Sequence, residues 1–148
     1  MRVAVSCDHA GFPIKASVID AIQKSGHEVL DFGTNSTASV DFPDFAEKAC
    51  RAIQNGEAQR GVILCGSGVG VVITANKLKG IYAGLCHDTY SAHQGVEHDY
   101  MNVLCLGGQV IGPALARELV TSFLNATFDG GERFVRRVNI MKKLENEG

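Results

Sequence analysis

The chain has 148 residues, of which 45% are hydrophobic and 20% are charged, and its formal net charge is −2 with a pI near 6.2. This size and apolar content predict one domain over residues 1–148, and the slightly acidic balance argues against nucleic acid as a partner. The N-terminus enters an apolar run without a signal-peptide pattern, and no run approaches the roughly 18 apolar residues of a membrane span, so we expect no membrane partner and a cytoplasmic location.

Short apolar runs alternate with segments of helical periodicity along most of the chain. We predict strands over 3–5, 27–31, 61–64, 81–85 and 102–106. We predict helices around 14–22, from Pro43 to the residue before Gly56, over 71–77 and 89–97, and from Pro113 to Leu124. This repeated order predicts an α/β, three-layer, Rossmann-like fold, in which helices cover both faces of a five-stranded parallel sheet.

The C-terminal segment differs from this alternation. After the break at Gly130 and Gly131, residues 133–144 resume a helical pattern with Phe134, Val138 and Leu144 on one apolar stripe. Because this helix has no following strand, we expect it to pack on a partner subunit.

The cysteines do not form the pattern of a disulfide framework or a metal site. Their number is odd, no C-x-x-C spacing occurs, and the histidines lack metal-ligand spacing, so we expect reduced thiols and no metal. Three of the five are predicted to end strands of the sheet: Cys7, Cys65 and Cys105.

A glycine-rich loop, Cys65-Gly66-Ser67-Gly68-Val69-Gly70, joins the third predicted strand to its helix. The spacing does not fit a dinucleotide fingerprint, the Gly-Lys-Ser/Thr of a P-loop is absent, and Val71 stands where a small phosphatase needs arginine. One interpretation is an oxyanion cradle, in which backbone N–H groups and the helix dipole meet an anion and favour a thiolate at Cys65. The alternative is a tight turn that uses glycine only for packing.

Other candidate residues follow the strands or lie on helices. Asp8 and His9 suit proton transfer or phosphate binding, although Asp8 could instead cap a helix and His9 could be a surface group. Arg133 and Arg137 are one helical turn apart and could clamp a phosphate or form a solvated basic face. The spacing alone does not assign His98, which is predicted in a loop. Ligands of parallel sheets bind beyond the carboxyl ends of the strands, where six candidates are predicted: Asp8, His9, Cys65, Ser67, His87 and Gln109.

Several motifs occur together and in order. They are Cys7-Asp8-His9-Ala10-Gly11, Asp41-Phe42-Pro43-Asp44, the 65–70 loop with Ala75-Asn76-Lys77, Tyr90-Ser91-Ala92, Glu97-His98 with Asn102-Val103, and Gly130-Gly131 with Arg133 and Arg136-Arg137-Val138. With these motifs the chain resembles, nearly end to end, the family of sugar-phosphate isomerases that holds ribose-5-phosphate isomerase type B and the galactose-6-phosphate isomerase subunits.

The resemblance implies an aldose–ketose isomerase that acts on a phosphorylated sugar through a cis-enediolate, without metal or organic cofactor. It implies that Cys65 is the base, that Ser67 helps to place it, and that His98 with Asp8 opens the sugar ring. It also implies a homodimer or homotetramer whose sites are shared between subunits. The residues expected to bind substrate are His9, Gly66, Gly68, Val69, Gly70, Asp99, Asn102, Gln109, Arg133 and Arg137.

The chain departs from the family pattern at a few positions. Gln109 stands where many members carry a phosphate-binding arginine, Phe42 replaces a common tyrosine, and Asp99 replaces a frequent asparagine. The expected reaction interconverts ribose 5-phosphate and ribulose 5-phosphate. The alternatives are an isomerase of allose 6-phosphate, galactose 6-phosphate or a tetrose phosphate, a non-catalytic sugar-phosphate-binding module, and a redox-sensing thiol protein.

Overall fold

The fold is described by a computed structural model that covers residues 1–148. Its strands are β1 (Arg2–Cys7), β2 (Glu28–Asp31), β3 (Arg60–Cys65), β4 (Ala83–Leu85) and β5 (Val103–Gly107). Its helices are α1 (Lys15–Lys24), α2 (Phe42–Gln54), α3 (Val69–Ala75), α4 (Thr89–Asp99), α5 (Pro113–Asn125) and α6 (Glu132–Glu147).

The strands form one parallel sheet in the order β2-β1-β3-β5-β4, which confirms the predicted architecture. Strand β3 lies at the centre between β1 and β5. Its C-terminal residue Cys65 pairs in register with Gly107. The loops after β1, β3 and β5 therefore leave the same edge of the sheet side by side, as ligand-binding loops of parallel sheets do.

Two buried clusters pack against opposite faces of the sheet. Val62 and Leu64 of β3 belong to the cluster that contains α1, α4 and α5, whereas Ile63 and Cys65 belong to the cluster that contains α2 and α3. This alternation is the period of two that a strand buried on both faces requires. It places the thiol of Cys65 on the side of the sheet that carries α3.

Three predicted details are wrong. Strand β4 begins at Ala83 rather than at residue 81, because the Asn102 side chain binds the Tyr82 N–H and the Gly80 carbonyl ahead of it, each at 2.9 Å. Helix α4 continues to Asp99, so His98 lies in its last turn and not in a loop. Cys105 lies in the middle of β5 rather than at its end.

Helix α6 packs on its own protomer through two buried side chains, Phe134 and Val138. Ile140 and Leu144 of the same helix are 55% and 63% exposed, so an apolar surface remains beyond the intrachain contact. The expected packing of α6 on a partner subunit stays a prediction. None of the helices has the length and apolar composition that crossing a membrane requires.

Candidate active site

The loops at the carboxyl edge of the sheet are bonded to one another. The Asp8 N–H donates to the Leu64 carbonyl at 3.2 Å, and the Gly108 N–H donates to the Cys65 carbonyl at 2.8 Å. The Gln109 N–H donates to the Gly66 carbonyl at 2.9 Å. The structure thus brings the predicted residues after β1, β3 and β5 together around the end of β3.

The thiol of Cys65 lies at the base of the glycine loop. Its Sγ accepts a hydrogen bond from the Gly68 N–H at 3.1 Å, and the residue is only 6% exposed. Gly68 has a left-handed backbone with φ of +81°, and a Cβ there would lie 2.5 Å from Leu85 Cδ1. A Cβ would also lie 3.0 Å from the backbone of Leu106 in β5, so the turn that delivers an N–H to the sulfur depends on glycine.

Backbone N–H groups of the loop are free to bind an anion. Ser67, Gly70 and Val71 have no acceptor for their N–H groups within the chain, and the Ser67 hydroxyl accepts from the Val69 N–H at 3.2 Å. These groups precede and open α3, where unpaired donors and the positive end of the helix dipole coincide. Next to a thiol, such donors can stabilise an oxyanion that forms when a proton is removed.

Asp8 caps a turn with one carboxylate oxygen and leaves the other without a hydrogen bond. Its Oδ1 accepts from the Ala10 and Gly11 N–H groups, both at 2.9 Å, so one oxygen caps the turn that follows β1. Oδ2 makes no hydrogen bond within the chain. The residue is 6% exposed and therefore presents one oriented carboxylate oxygen from a nearly buried position.

His9 is held by a residue that the sequence did not point to. The Val40 N–H donates to His9 Nδ1 at 3.1 Å, which assigns the proton of the neutral ring to Nε2. The imidazole therefore offers an N–H donor on the side away from Val40. No sequence signal identifies such a contact, because 31 residues separate the two partners.

Three other side chains border the glycine loop. The Gln109 amide oxygen would be 3.1 Å from a Cβ on Gly66, and the Phe42 ring would be 2.6 Å from one on Gly70. His87 Nε2 accepts from the Gly107 N–H at 3.0 Å, and burial lowers the pKa of His87, so the ring is neutral and supports the end of β5. A neutral amide, an apolar ring and a neutral imidazole thus flank the loop.

The other four cysteines are buried in the core. Burial raises the pKa of Cys7, Cys50 and Cys86 to about 11 and raises that of Cys105 well above its usual value. All five thiols are free. Protonated thiols inside a core are poor redox partners, so the arrangement argues against a redox sensor.

His98 lies at the opposite edge of the sheet. Helix α4 starts near the carboxyl end of β4, and its 11 residues carry the chain about 16 Å back toward the amino ends of the strands. Just beyond it, the Asn102 carbonyl accepts from the N–H of Gly61 at the start of β3. Cys65 ends the same strand, so the structure does not bring His98 and Cys65 together within one protomer.

The two candidate arginines accompany His98. The His98 ring stacks on Phe134 with a centroid distance of 4.5 Å and an interplanar angle of 1°. The guanidinium carbons of Arg133 and Arg137 lie 4.7 Å and 5.9 Å from the same Phe134 ring. Phe134 therefore brings a histidine and two cations together, whereas the helical spacing predicted only that the two arginines share a face.

Two predicted binding residues make other contacts here. Asp99 Oδ2 accepts from the Gln94 side chain at 3.2 Å, and it does not bind His98. Both atoms of the Asn102 amide are used in the backbone contacts ahead of β4. The chain thus carries two separated groups. The carboxyl-edge group is Asp8, His9, Cys65, Ser67 and Gln109, and the amino-edge group is His98, Arg133 and Arg137.

Comparisons with known proteins agree with this architecture. Residues 3–141 match the model of the family described as Ribose/Galactose Isomerase. The chain is 38% identical to ribose-5-phosphate isomerase B of Escherichia coli over 97% of this chain and 96% of that protein. It is 40% identical to D-erythrulose-4-phosphate isomerase of Pectobacterium atrosepticum over 88% and 87% of the two chains. The structure of Clostridium thermocellum ribose-5-phosphate isomerase B superposes with a TM-score of 0.95, at 41% identity and 99% coverage of both chains.

Proposed function

The chain belongs to the ribose/galactose isomerase family, and on that premise we propose that it interconverts ribose 5-phosphate and ribulose 5-phosphate. The observation that carries the proposal is the position of Cys65, whose sulfur lies against the glycine loop with unpaired N–H groups beside it. A base adjacent to fixed oxyanion donors is what proton transfer next to a carbonyl requires.

In the proposed reaction the Cys65 thiolate takes the proton from C2 of the open-chain aldose. A proton then moves from the O2 hydroxyl to O1 of the enediolate, and the thiol returns its proton to C1, which leaves the ketone at C2. The electron pair of the C2–H bond forms the enediolate, and its negative oxygen is held by the free N–H groups of Ser67 and Gly70. Each well-placed donor of this kind contributes roughly 3–4 kcal/mol to the transition state. The Ser67 hydroxyl lies at the same turn and helps to place sulfur and sugar.

The remaining roles are distributed over the two edges of the sheet. His98 opens the furanose ring, with Asp8 as its partner at the sugar hydroxyls. The Nε2–H of His9 and the guanidinium groups of Arg133 and Arg137 bind the phosphate, where charge-assisted hydrogen bonds are strongest. Binding energy from the phosphate is then used to position C1 and C2 at the sulfur.

These roles require a second copy of the chain, because one protomer holds the two groups at opposite edges. We propose that the active form is a homodimer, or a homotetramer built from two such dimers. In each dimer the amino-edge group of one copy completes the carboxyl-edge group of the other. The exposed apolar side chains of α3, Val69 and Ile73, and those of α6 offer contact surface for such an assembly.

Replacing Cys65 tests the assignment directly. We expect Cys65→Ala to lower kcat for ribose 5-phosphate by at least about 10³-fold, because the base is lost while the fold is kept. Isomerisation and exchange of solvent deuterium into C2 of the substrate are to be measured together. Cys50→Ala is the matched control, since it removes a buried thiol that lies in α2 rather than at the carboxyl edge of the sheet. Full activity in Cys65→Ala would refute the role of the sulfur, and absence of exchange in the unmodified protein would favour a non-catalytic binding module.

An isomerase of another sugar phosphate is the alternative. The neutral Gln109 amide beside Gly66 and the apolar Phe42 on Gly70 motivate it, as does the identity with the erythrulose-phosphate enzyme. Comparing kcat/KM for ribose 5-phosphate, erythrose 4-phosphate, allose 6-phosphate and galactose 6-phosphate separates the possibilities. A preference of roughly tenfold or more for another substrate, about 1.4 kcal/mol, would replace the pentose assignment.

A further inference from the structure

Glu97 and His93 of α4, which have no role in the proposed site, are bonded to each other beside His98. Glu97 Oε1 lies 3.1 Å from His98 Nε2, and Glu97 Oε2 lies 3.0 Å from His93 Nε2. One carboxylate therefore bridges two imidazoles, with a separate oxygen on each. The backbone of Glu97 is fixed as well, because its carbonyl accepts from the Asp129 N–H at 2.9 Å.

These contacts restrict the His98 ring from two directions. Phe134 covers one face, and Glu97 holds Nε2. The remaining nitrogen, Nδ1, has one long hydrogen bond, at 3.4 Å from the Gln94 amide nitrogen. A carboxylate that accepts from one imidazole nitrogen assigns the proton to that nitrogen and leaves the other as the base. The His98 side chain is 34% exposed, and Nδ1 can act as that base when a sugar hydroxyl takes the place of the Gln94 amide.

We propose that Glu97 is the positioning residue that keeps His98 in the tautomer and orientation in which Nδ1 opens the sugar ring. The inference rests on the proposed function, in which His98 performs the ring opening. It adds a residue that binds no part of the substrate and acts through the imidazole. His93 holds the second oxygen of Glu97 and thereby limits rotation of the carboxylate.

The ring-opening step is balanced in atoms and charge. Nδ1 takes the proton from the O1 hydroxyl of the cyclic sugar, and an O1 electron pair forms the C1–O1 double bond. The C1–O4 bond breaks, and its electron pair goes to O4. The imidazolium then returns the same proton to O4, which leaves the open-chain aldehyde and a neutral His98.

The two substrates differ in their need for this step. Ribose 5-phosphate closes to a furanose through O4. Ribulose 5-phosphate cannot close a five-membered ring, because that ring would use O5, which carries the phosphate. A defect confined to ring opening therefore slows net isomerisation in both directions, because the equilibrium constant fixes the ratio of the two kcat/KM values. It spares the exchange of solvent deuterium into C1 of ribulose 5-phosphate, which needs only the Cys65 step. A general loss of structure or of Cys65 chemistry slows isomerisation and exchange alike.

The experiment measures isomerisation and the exchange of solvent deuterium into C1 of ribulose 5-phosphate in Glu97→Ala and Glu97→Gln. We expect Glu97→Ala to lower kcat/KM for ribose 5-phosphate at least about tenfold, part of the 10²- to 10⁴-fold that a general base supplies. We expect the rate of C1 exchange in ribulose 5-phosphate to stay within about twofold. Glu97→Gln keeps an acceptor oxygen for Nε2–H and should retain most of the aldose rate. Glu47→Ala is the control, since Glu47 bonds Arg51 on α2, away from this cluster.

Other outcomes overturn the inference in distinguishable ways. An unchanged aldose rate in Glu97→Ala shows that His98 does not need Glu97, and equal losses of isomerisation and of C1 exchange show that the contact serves stability or another step. His98→Gln identifies where the failure lies. If His98→Gln loses the aldose rate and Glu97→Ala does not, the proposed function stands without Glu97. If His98→Gln also keeps the aldose rate, ring opening by His98 and the inference fail together.

Discussion

Gly68 has the backbone conformation on which the thiol site depends. Its φ of +81° is close to that of Gly56, at +79°, but the surroundings differ. A Cβ on Gly68 would meet Leu85 and the backbone of Leu106, whereas nothing lies within 4 Å of a Cβ on Gly56. Substitutions at Gly68 and Gly56 therefore separate two losses of stability, one from a left-handed backbone and one from steric crowding.

We expect Gly56→Ala to lower the free energy of unfolding by about 1–2 kcal/mol, the usual cost of a left-handed residue with a Cβ. Gly68→Ala should lower it by roughly 1–3 kcal/mol more, because packed neighbours must move. It should also reduce turnover, since the turn presents an N–H to Cys65. Urea unfolding of both variants measures the difference, and equal losses of stability would contradict the crowding argument.

Helix α4 illustrates how one element can carry a reactive group and its support. Its last turn ends at Tyr100, which has a left-handed φ of 65° and packs against Tyr82 and Phe128 at centroid distances of 5.8 Å and 5.0 Å. These aromatic contacts offset the strain of a non-glycine residue at this position. They fix the end of the helix that presents His98.

Helix α6 is attached at both of its ends. Phe134 holds the first turns against His98, and Glu145 near the other end accepts from the Tyr82 hydroxyl at 2.9 Å and from the Gly80 N–H at 2.6 Å. The Tyr82 contact links the C-terminal helix to the segment that precedes β4. It is also a titratable contact, since ionised tyrosinate would repel the carboxylate.

This contact predicts a dependence of stability on alkaline pH. Burial and the hydrogen bond to Glu145 raise the pKa of Tyr82 to about 12, above the usual value near 10 of the unfolded chain. Between these values the unfolded state binds fewer protons than the folded state, so stability falls as pH rises from about 10 to 12. Tyr82→Phe should lose this part of the dependence of the unfolding free energy on pH, as measured by urea unfolding at a series of pH values. Tyr90→Phe, which changes an exposed tyrosine, should keep this pH dependence. The same pH dependence in both variants would contradict the assignment.

At the scale of the whole molecule, the distance between the two groups of residues makes subunit sharing testable. A hybrid of Cys65→Ala and His98→Gln copies would contain one intact site, because the missing residue of each copy lies at a different edge. If the copies mix freely in a dimer, half of the dimers are hybrids with one of two sites intact. Co-refolding should therefore restore roughly a quarter of the wild-type activity.

A matched mixture checks this result. His9 and Cys65 belong to the same edge, so hybrids of His9→Ala and Cys65→Ala contain no intact site and should stay inactive. Restoration in the second mixture, or none in the first, would show that the sites are not shared in the proposed way.

Much of the fold was predictable because it follows from local periodicity. The strand–helix alternation predicted the parallel sheet, and the glycine loop after the third strand placed Cys65 at the carboxyl edge. The errors at β4 and α4 arose where distant side chains set the boundaries. Asn102 pairs with the segment before β4, and an aromatic cluster supports Tyr100 at the end of α4. Neither contact has a signal in the neighbouring residues.

The architecture, the family and the thiol beside its glycine loop could be read from the amino-acid sequence, because these depend on local hydrophobic patterns and on which residue types lie next to one another. The folded chain was needed to show that His98 and the arginines share the Phe134 ring at one edge while Cys65 lies at the other. That outcome depends on the length of α4 and on where α6 packs. Both are settled by contacts between residues far apart in the chain, which no local pattern records.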